Sequence, residues 1–227
     1  MSDEHSPAGL YPFLADPQRE ERVSDEALLI SAKRKAAESV AVKKAFFDAN
    51  AAGLVRAARL LANSYANGGR LFTMGNGGSS CDAAHLAVEF QHPVTTGRPA
   101  LPAMNLGNDL AMFSAVANDV GVKHVFTRQL LAHARRGDVL VGFSTSGNSE
   151  NLMAAFTAAK QAGVVCIGFA GHDGGEMQAG SKLDCCLTVP TDSIHRVQET
   201  HLTCYHILWD LVHTVLADTR GKTGTQR

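Results

Sequence analysis

The segment at residues 71–90, LFTMGNGGSSCDAAHLAVEF, constrains the fold more than any other part of the chain. It opens with an apolar run, breaks at a stretch of glycine, asparagine and serine, and then continues without glycine or proline. This order predicts a buried strand, a tight loop and a helix in succession. The loop then presents backbone N–H groups at the positive end of the helix dipole, which favours the binding of an anion.

Polar residues in and after this loop are candidates for chemistry. Ser79 and Ser80 can cap the helix or bind phosphate oxygens. His85 and Glu89 are four residues apart, so they share one face of the helix about one turn after the loop. The arrangement indicates a site for a small phosphorylated molecule. A plain strand–turn–helix connection with a His–Glu pair on its surface explains the same residues equally well.

The same order of apolar run, polar loop and helix-like segment recurs along the chain. We predict strands at residues 70–74, 103–106, 139–144, 164–171 and 185–189. Helices are predicted at residues 79–91, 109–116, 125–134, 150–162 and 196–217. Strands that alternate with helices favour a parallel sheet covered by helices on both faces. Ligands bind such sheets at the carboxyl ends of the strands.

The chain before the first strand is read as two helices, at residues 27–47 and 51–65. Residues 1–22 contain several prolines and show little periodicity, so we predict a flexible N-terminal extension. We expect a single domain over residues 23–218 and a loose C-terminal tail over residues 219–227. A chain of 227 residues with 45% hydrophobic residues is long and apolar enough to bury a core.

A second polar loop, STSGNS at residues 144–149, also follows an apolar strand and precedes a helix, so both loops are expected at one edge of the sheet. An ordinary polar turn is the alternative. Neither loop contains the lysine of a nucleotide-binding P-loop, and GNGGSS ends in serine where a dinucleotide fingerprint ends in glycine. Hydroxyls, backbone N–H groups and helix N-termini together fit one phosphate monoester on a small polyol.

Charge and composition narrow the choice of partners and compartment. The net charge is −1 and no basic stripe is present, so nucleic-acid binding is not indicated. No apolar run reaches the roughly 18–20 residues of a membrane span. The N-terminal MSDEHSPAGLYPF is acidic and contains proline, unlike a secretory signal. Five cysteines without a paired metal spacing predict a reduced, cytoplasmic protein.

Five motifs, taken together and in order, resemble the sugar isomerase (SIS) domain family, and within it the phosphoheptose isomerases. They are GNGGSSCDAAHLAVEF, AVAND, GDVLVGFSTSGNS, GHDGGEM and RVQETHLTCYH, and the resemblance covers residues 25–216. It implies an α/β, flavodoxin-like three-layer sandwich in which helices flank a parallel five-stranded sheet, preceded by an N-terminal helical hairpin. It also implies a homotetramer whose active sites are shared between subunits.

The resemblance further implies the conversion of D-sedoheptulose 7-phosphate to D-glycero-D-manno-heptose 7-phosphate, with one zinc ion per subunit. The implied phosphate-binding residues are Ser79, Ser144, Thr145, Ser146 and Ser149. The implied sugar-binding residues are Asn76, Gly77, Gly78, Asn118 and Asp119, with Glu89 and Gln198. The implied zinc ligands are His85, Glu89, Gln198 and His206, and Glu89 and His206 are the implied acid/base pair.

These residue types suit the implied reaction. A ketose becomes an aldose when a base removes a proton beside the carbonyl and an acid helps to form an enediol, whose developing charge must be stabilised. A carboxylate and an imidazole can serve as base and acid, and zinc can serve as a Lewis acid. Glutamine is an unusual zinc ligand, which predicts modest metal affinity.

The spacing of two implied ligands raises a difficulty. Gln198 and His206 are eight residues apart, about 12 Å along a straight helix, so one metal cannot easily reach both. Either Gln198 lies in an irregular lead-in to the helix, or the ligands come from different subunits. His201 and His213 are alternative polar residues on the same segment, which we interpret as satisfied interface or surface histidines.

One departure from the family pattern bears on specificity. The resemblance implies a basic residue four positions after Glu89, where this chain has Pro93. His92 and Arg98 are nearby basic residues that can take its place. Two non-enzymatic alternatives remain, a SIS protein that binds a protein partner as in replication-initiator-binding relatives, and the sensor domain of a regulator. The presence of both Glu89 and His206 favours the enzyme, and no helix-turn-helix extension accompanies the domain.

Overall fold

The computed structural model describes residues 23–223, and within them five strands form one parallel sheet. The strands are β1 (Leu71–Gly75), β2 (Ala103–Asn105), β3 (Val139–Ser144), β4 (Val165–Gly171) and β5 (Cys185–Val189). Their order across the sheet is β2-β1-β3-β4-β5, and every neighbouring pair is parallel. This is the flavodoxin-like order, so the predicted fold class is confirmed.

Seven α-helices and one 3₁₀ helix are described in residues 23–223. They are α1 (Asp25–Ala66), α2 (Gly78–Gln91), α3 (Leu110–Asp119), the 3₁₀ helix Val122–His124, α4 (Val125–His133), α5 (Glu150–Gln161), α6 (Gly175–Ala179) and α7 (Ile194–Thr223). In this part of the chain, no helix combines the length and apolar character that crossing a membrane requires.

Both faces of the sheet are buried, because successive residues of each strand point into different cores. On β3, Val141 packs with α1, α2 and α7, while the preceding Leu140 packs with α4 and α5. β4 repeats the pattern, with Ile167 in the first core and Cys166 in the second. This alternation across an apolar strand is what a parallel sheet between two helical layers requires.

The chain divides into two compact units, Met1–Ala37 and Glu38–Arg227. The described part of the first unit begins at Val23 and contains the start of α1. All five strands and the remaining helices belong to the second unit. The predicted extension at residues 1–22 lies outside the described residues.

The predicted N-terminal hairpin of two helices is wrong, because α1 is one continuous helix of 42 residues. Residues 48–50, where we expected a break, contain neither glycine nor proline. The Asn50 side chain donates a hydrogen bond to the carbonyl of Phe46 at 3.1 Å, within the helix. Phe46 and Leu54, on either side of the expected break, are both buried in the same core.

The last helix is also longer than predicted. We expected it to end at residue 217 and to be followed by a loose tail, but α7 continues to Thr223. No proline lies between residues 217 and 223, so the backbone can extend the helix through the glycine at position 221. The last four residues of the expected tail lie outside the described residues.

The continuity of α1 can be tested at Asn50. Asn50→Pro should lower the free energy of unfolding by about 3 kcal/mol, since proline removes a helical N–H donor and its ring clashes with the preceding turn. Urea denaturation measures the change, and Asn50→Ala is the matched control, which should change the free energy of unfolding by less than about 1 kcal/mol. Equal effects of the two substitutions would indicate a loop at this position.

Candidate active site

Two polar loops meet at the carboxyl edge of the sheet. β1 and β3 are paired in parallel, with Gly75 opposite Phe143, so the loops that follow them begin side by side. The amide side chains of Asn76, in the first loop, and Asn151, in the first turn of α5 after the second loop, exchange two hydrogen bonds of 2.9 Å. The structure therefore places both loops where the sequence predicted them.

The first loop, at residues 75–80, is tightly closed. A Cβ atom at Gly75 would lie 2.2 Å from the backbone oxygen of Ser79, so only glycine fits there. The N-cap residue of α2 is Gly77, and no side chain caps the helix there. Neither Ser79 nor Ser80 is therefore the N-cap residue. Ser80 donates its hydroxyl to the carbonyl of Gly77 at 2.7 Å, and Ser79 is buried.

The second loop, at residues 144–149, gathers serine hydroxyls at the start of α5. The Ser144 and Ser149 hydroxyls are 3.0 Å apart, and the N–H of Gly147 donates to the Ser144 hydroxyl at 3.1 Å. The N–H of Asn148 donates to the Ser146 hydroxyl at 3.2 Å. Because α5 begins at the next residue, these hydroxyls lie beside a helix N-terminus, which is a favourable place for an anion.

Asn118 and Asp119 lie at the C-terminal end of α3, where the Asn118 amide donates to the Asp119 carboxylate at 2.8 Å. The chain then continues into the 3₁₀ helix, which borders a cavity of about 300 Å³. The lining residues are Asn76, Val122, Lys123, Ser149, Glu150 and Asn151. This cavity joins both polar loops to the segment that follows Asn118 and Asp119.

A cluster of possible metal ligands lies further along α2. Three residues, His85, Glu89 and His206, each place one potential ligand atom within 4.8 Å of the other two. His85 Nε2 is 3.1 Å from Glu89 Oε1, and the rings of His85 and His206 meet edge to face at 5.0 Å. Two imidazoles and one carboxylate are a donor set that fits a catalytic zinc ion.

Gln198, the fourth implied ligand, lies beside the start of α2. It lies inside α7 rather than in an irregular lead-in, so the first of our two explanations is wrong. A Cβ atom at Gly78 would lie 2.2 Å from Gln198 Nε2, so the amide packs against the first turn of α2. His85 follows Gly78 by seven residues, about 10 Å along the helix. Sharing of ligands between subunits stays a prediction.

His201 and His213 are both buried, and neither belongs to the cluster. His201 Nε2 is 3.1 Å from the carbonyl oxygen of Ala170, and burial lowers the pKa of its imidazole to about 4. His213 stacks on Phe90 with ring centroids 5.9 Å apart. They are core residues, and our interpretation of them as interface or surface histidines is corrected.

Tyr205 is a neighbour of the cluster that the sequence did not reveal. Its hydroxyl lies 2.8 Å from His85 Nδ1, which fixes the ring with Nε2 facing Glu89. Burial, and then the nearby carboxylate of Asp82, raise the pKa of the Tyr205 hydroxyl above its usual range, so the hydroxyl stays protonated. A partner of this kind on the second ring nitrogen orients a metal-binding histidine. The contact joins residues 120 positions apart, and no local pattern predicts it.

Arg98, one of the two basic residues that we considered in place of Pro93, is held by α7. Its guanidinium is 2.5 Å from the Asp210 carboxylate and lies over the Trp209 ring at 4.5 Å. Trp209 in turn donates its indole N–H to the carbonyl of Glu89 at 2.9 Å. His92 is the C-cap residue of α2 and is exposed. Arg98 thus supports the helix that carries Glu89.

The family model of the SIS domain matches residues 36–171, which is more than half of the chain. This chain belongs to the SIS domain family. The resemblance predicted from the sequence is therefore confirmed, and the loops and the His85–Glu89 pair described above lie within the matched region.

Several members of the SIS family are similar to this chain over most of its length. The phosphoheptose isomerase of Thermodesulfovibrio yellowstonii is 41% identical over 179 residues, which cover 79% of this chain and 88% of the relative. That of Chlorobium phaeovibrioides is 43% identical over 203 residues, covering 88% and 90%.

Two solved structures share the architecture. Phosphoheptose isomerase GmhA from Neisseria gonorrhoeae superposes with a TM-score of 0.77 at 35% identity, covering 82% of this chain and 99% of that chain. A phosphoheptose isomerase from Francisella tularensis gives a TM-score of 0.78 at 30% identity, covering 82% and 98%.

Asp82 lies on α2 between the cluster and the loop at residues 75–80; this loop and the loop at residues 144–149 are called the phosphate-type loops below. The Asp82 carboxyl should make the stability of the protein depend on pH. Burial raises the pKa of this carboxyl to about 6, an effect that His85 partly offsets. A carboxyl with a raised pKa binds more protons in the folded state, so its burial costs stability as the pH rises from about 4 to about 6.

Asp82→Asn should remove this loss and stabilise the protein at pH 7 by about 2 kcal/mol. Urea denaturation at pH 4, 5, 6 and 7 tests it, with Glu26→Gln, an exposed carboxyl on α1, as the control that should follow the wild type. A stability difference between Asp82→Asn and wild type that is constant over this range would contradict the expectation.

Proposed function

We propose that this SIS protein is a phosphoheptose isomerase, which converts D-sedoheptulose 7-phosphate to D-glycero-D-manno-heptose 7-phosphate. The observation that carries the proposal is the grouping of His85, Glu89 and His206. His85 lies two turns along α2 from Gly78, which begins the helix inside the loop at residues 75–80. The similarity to phosphoheptose isomerases over most of the chain supports the same reaction. A protein that only binds a sugar phosphate has no need of this second group of residues.

The separation of the two parts of the site suits a long substrate. Gly78, at the loop, and His85, in the cluster, are about 10 Å apart along α2. A seven-carbon sugar held by its terminal phosphate extends its carbonyl end away from the loops. The side chains of the cluster begin about 10 Å along α2 from the loop, where the carbonyl end can bind. The substrate then lies along α2, with the phosphate at the loops and the carbonyl at the cluster.

The phosphate end is assigned to the serine-rich loops. We propose that the phosphate is held by Ser79, Ser144, Thr145, Ser146 and Ser149, and that the sugar is held by Asn76, Gly77, Gly78, Asn118, Asp119, Glu89 and Gln198. The hydroxyls gathered at the start of α5 support the first assignment. The position of the Gln198 amide against Gly78 supports its role beside the sugar rather than at the metal in the same subunit.

Glu89 and His206 are proposed as the acid/base pair. The Glu89 carboxylate removes a proton from the carbon beside the carbonyl, while a ring N–H of His206 donates its proton to the carbonyl oxygen, and an enediol forms. Glu89 then returns its proton to the neighbouring carbon, while His206 takes the proton from the other enediol hydroxyl, whose oxygen becomes the aldehyde carbonyl. His85 is held by Tyr205 and lies 3.1 Å from Glu89, so it fixes the carboxylate in place.

We propose that His85, Glu89 and His206 hold one zinc ion per subunit. The ion supplies Lewis-acid polarisation of the substrate oxygens when it is bound. The nitrogen and carboxylate donors fit zinc, and the Tyr205 hydroxyl on His85 provides the outer hydrogen bond that such ligands require.

We propose a homotetramer, formed by one SIS domain over residues 23–218 and acting in the cytoplasm. Exposed apolar side chains on α1 and α7 support assembly; Val40 is 67% exposed and Ile207 is 37% exposed. Such side chains gain free energy when a second subunit covers them. The cytoplasmic location stays a prediction from the cysteine content.

The proposed base is tested by Glu89→Gln, which keeps the size of the side chain but cannot accept a proton. We expect kcat on sedoheptulose 7-phosphate to fall by roughly 10²–10⁴-fold with a small change in KM. Glu176→Gln, an exposed carboxyl on α6, is the control. The assay is run across a zinc titration and with a chelator.

The zinc titration separates the two roles of Glu89. Partial recovery of the Glu89→Gln rate with added zinc would mean that the residue acts as a ligand more than as a base. Full activity of Glu89→Gln without added metal would disprove both roles. Binding of the sugar phosphate by the wild type with no turnover would favour the non-catalytic alternative.

The proposed assembly is tested by sedimentation velocity at micromolar concentration. We expect a species of four times 24.1 kDa for the wild type. Val40→Glu on α1 should shift it to a smaller species, because a charge buried in an interface costs free energy. Val94→Glu, at an 81% exposed position after α2, is the matched control. A wild-type monomer would contradict the tetramer and the shared site together.

A further inference from the structure

The phosphate-type loops are electrically neutral, although a phosphate monoester carries nearly two negative charges. Neither residues 75–80 nor residues 144–149 include lysine or arginine. Hydrogen bonds to an ionised group are strongest when the donor is also charged. A cation near these loops would therefore add to the binding of a substrate phosphate.

Lys123 is placed to supply that charge. It belongs to the short 3₁₀ helix at Val122–His124 and lines the cavity of about 300 Å³ together with Asn76 and Ser149, one residue from each loop. Ser149, whose hydroxyl is 3.0 Å from that of Ser144, therefore lines the same cavity as the lysine.

Lys123 forms an ion pair with Glu150, the first residue of α5. The Nζ–Oε2 distance is 3.9 Å, and the two side chains are 58% and 80% exposed, so water screens this pair and it is weak. The Glu150 carboxylate also occupies a helix N-terminus that would otherwise attract the phosphate. A phosphate that enters the cavity competes with Glu150 for Lys123.

We infer that Lys123 is a further substrate-binding residue. When substrate binds, Lys123 exchanges its ion pair with Glu150 for one with the substrate phosphate, which is held by the neutral loops. The inference rests on the proposed function and deepens it, since it assigns the charge that the serine hydroxyls lack. Lys123 determines specificity for phosphorylated over unphosphorylated sugars and increases the rate of substrate capture.

The chain offers a matched control in Lys182. A neighbouring cavity of about 520 Å³ is lined by Lys123, Glu150, Glu176 and Lys182 among others. Lys182 lines that cavity but not the one that contains Asn76 and Ser149. Removing Lys182 changes the net charge by the same amount without removing the cation at the loops.

The experiment measures kcat/KM of the full-length protein on a ketose phosphate at several KCl concentrations. Lys123→Ala should lower kcat/KM about tenfold at low salt, through KM, and should flatten its salt dependence. Lys123→Arg should restore most of the loss, and Glu150→Gln should raise kcat/KM. Lys182→Ala should behave as wild type. An unchanged kcat/KM and salt dependence in Lys123→Ala would overturn the inference.

A binding measurement separates this inference from the proposed reaction. Inorganic phosphate should raise the melting temperature of the wild type and of Lys182→Ala more than that of Lys123→Ala, because a ligand of the folded state stabilises it. A Lys123-dependent phosphate effect without wild-type turnover would disprove the isomerase alone. Wild-type turnover with no effect of Lys123 in either experiment would disprove the role of Lys123 alone.

Discussion

The packing of α2 against α7 is the contact on which the site depends. Gln198 lies against Gly78 at the start of α2, Tyr205 contacts His85 two turns later, and Trp209 bonds the carbonyl of Glu89 one turn after that. The two helices therefore run in the same direction, side by side. Because both helices rise by the same distance per residue, residues at matching intervals along α2 and α7 contact one another.

The sheet supplies the other end of the site. Parallel pairing of β1 with β3 brings two loops together that are about seventy residues apart in sequence, and the Asn76–Asn151 amide pair holds them. α2 begins in the first of these loops and carries the His85–Glu89 pair. One helix thus fixes the distance from the loop at residues 75–80 to the cluster of His85, Glu89 and His206.

The fold could be predicted from the sequence because its signals are local. Apolar runs such as residues 139–144 and the glycines and serines that follow them mark where strands end and helices begin, and the five strands were found within one residue or two. The hairpin expected before β1 was wrong because Asp48 and Asn50 resemble a break but are compatible with a helix. Their conformation was decided by the burial of Phe46 and Leu54 on both sides.

For the site, the sequence by itself determined the loops, the shared helical face of His85 and Glu89, and the membership of His206 in a motif. The loops and the shared helical face follow from the conformational freedom of glycine and from helical periodicity, which act within a few residues, whereas the role of His206 was implied by the family resemblance. Only the tertiary structure decided that His206 joins the cluster while Gln198 packs at Gly78, that Tyr205 orients His85, and that Lys123 borders the phosphate-type loops. These relations join elements far apart in the chain, and they depend on how helices pack on the sheet, which no local pattern encodes.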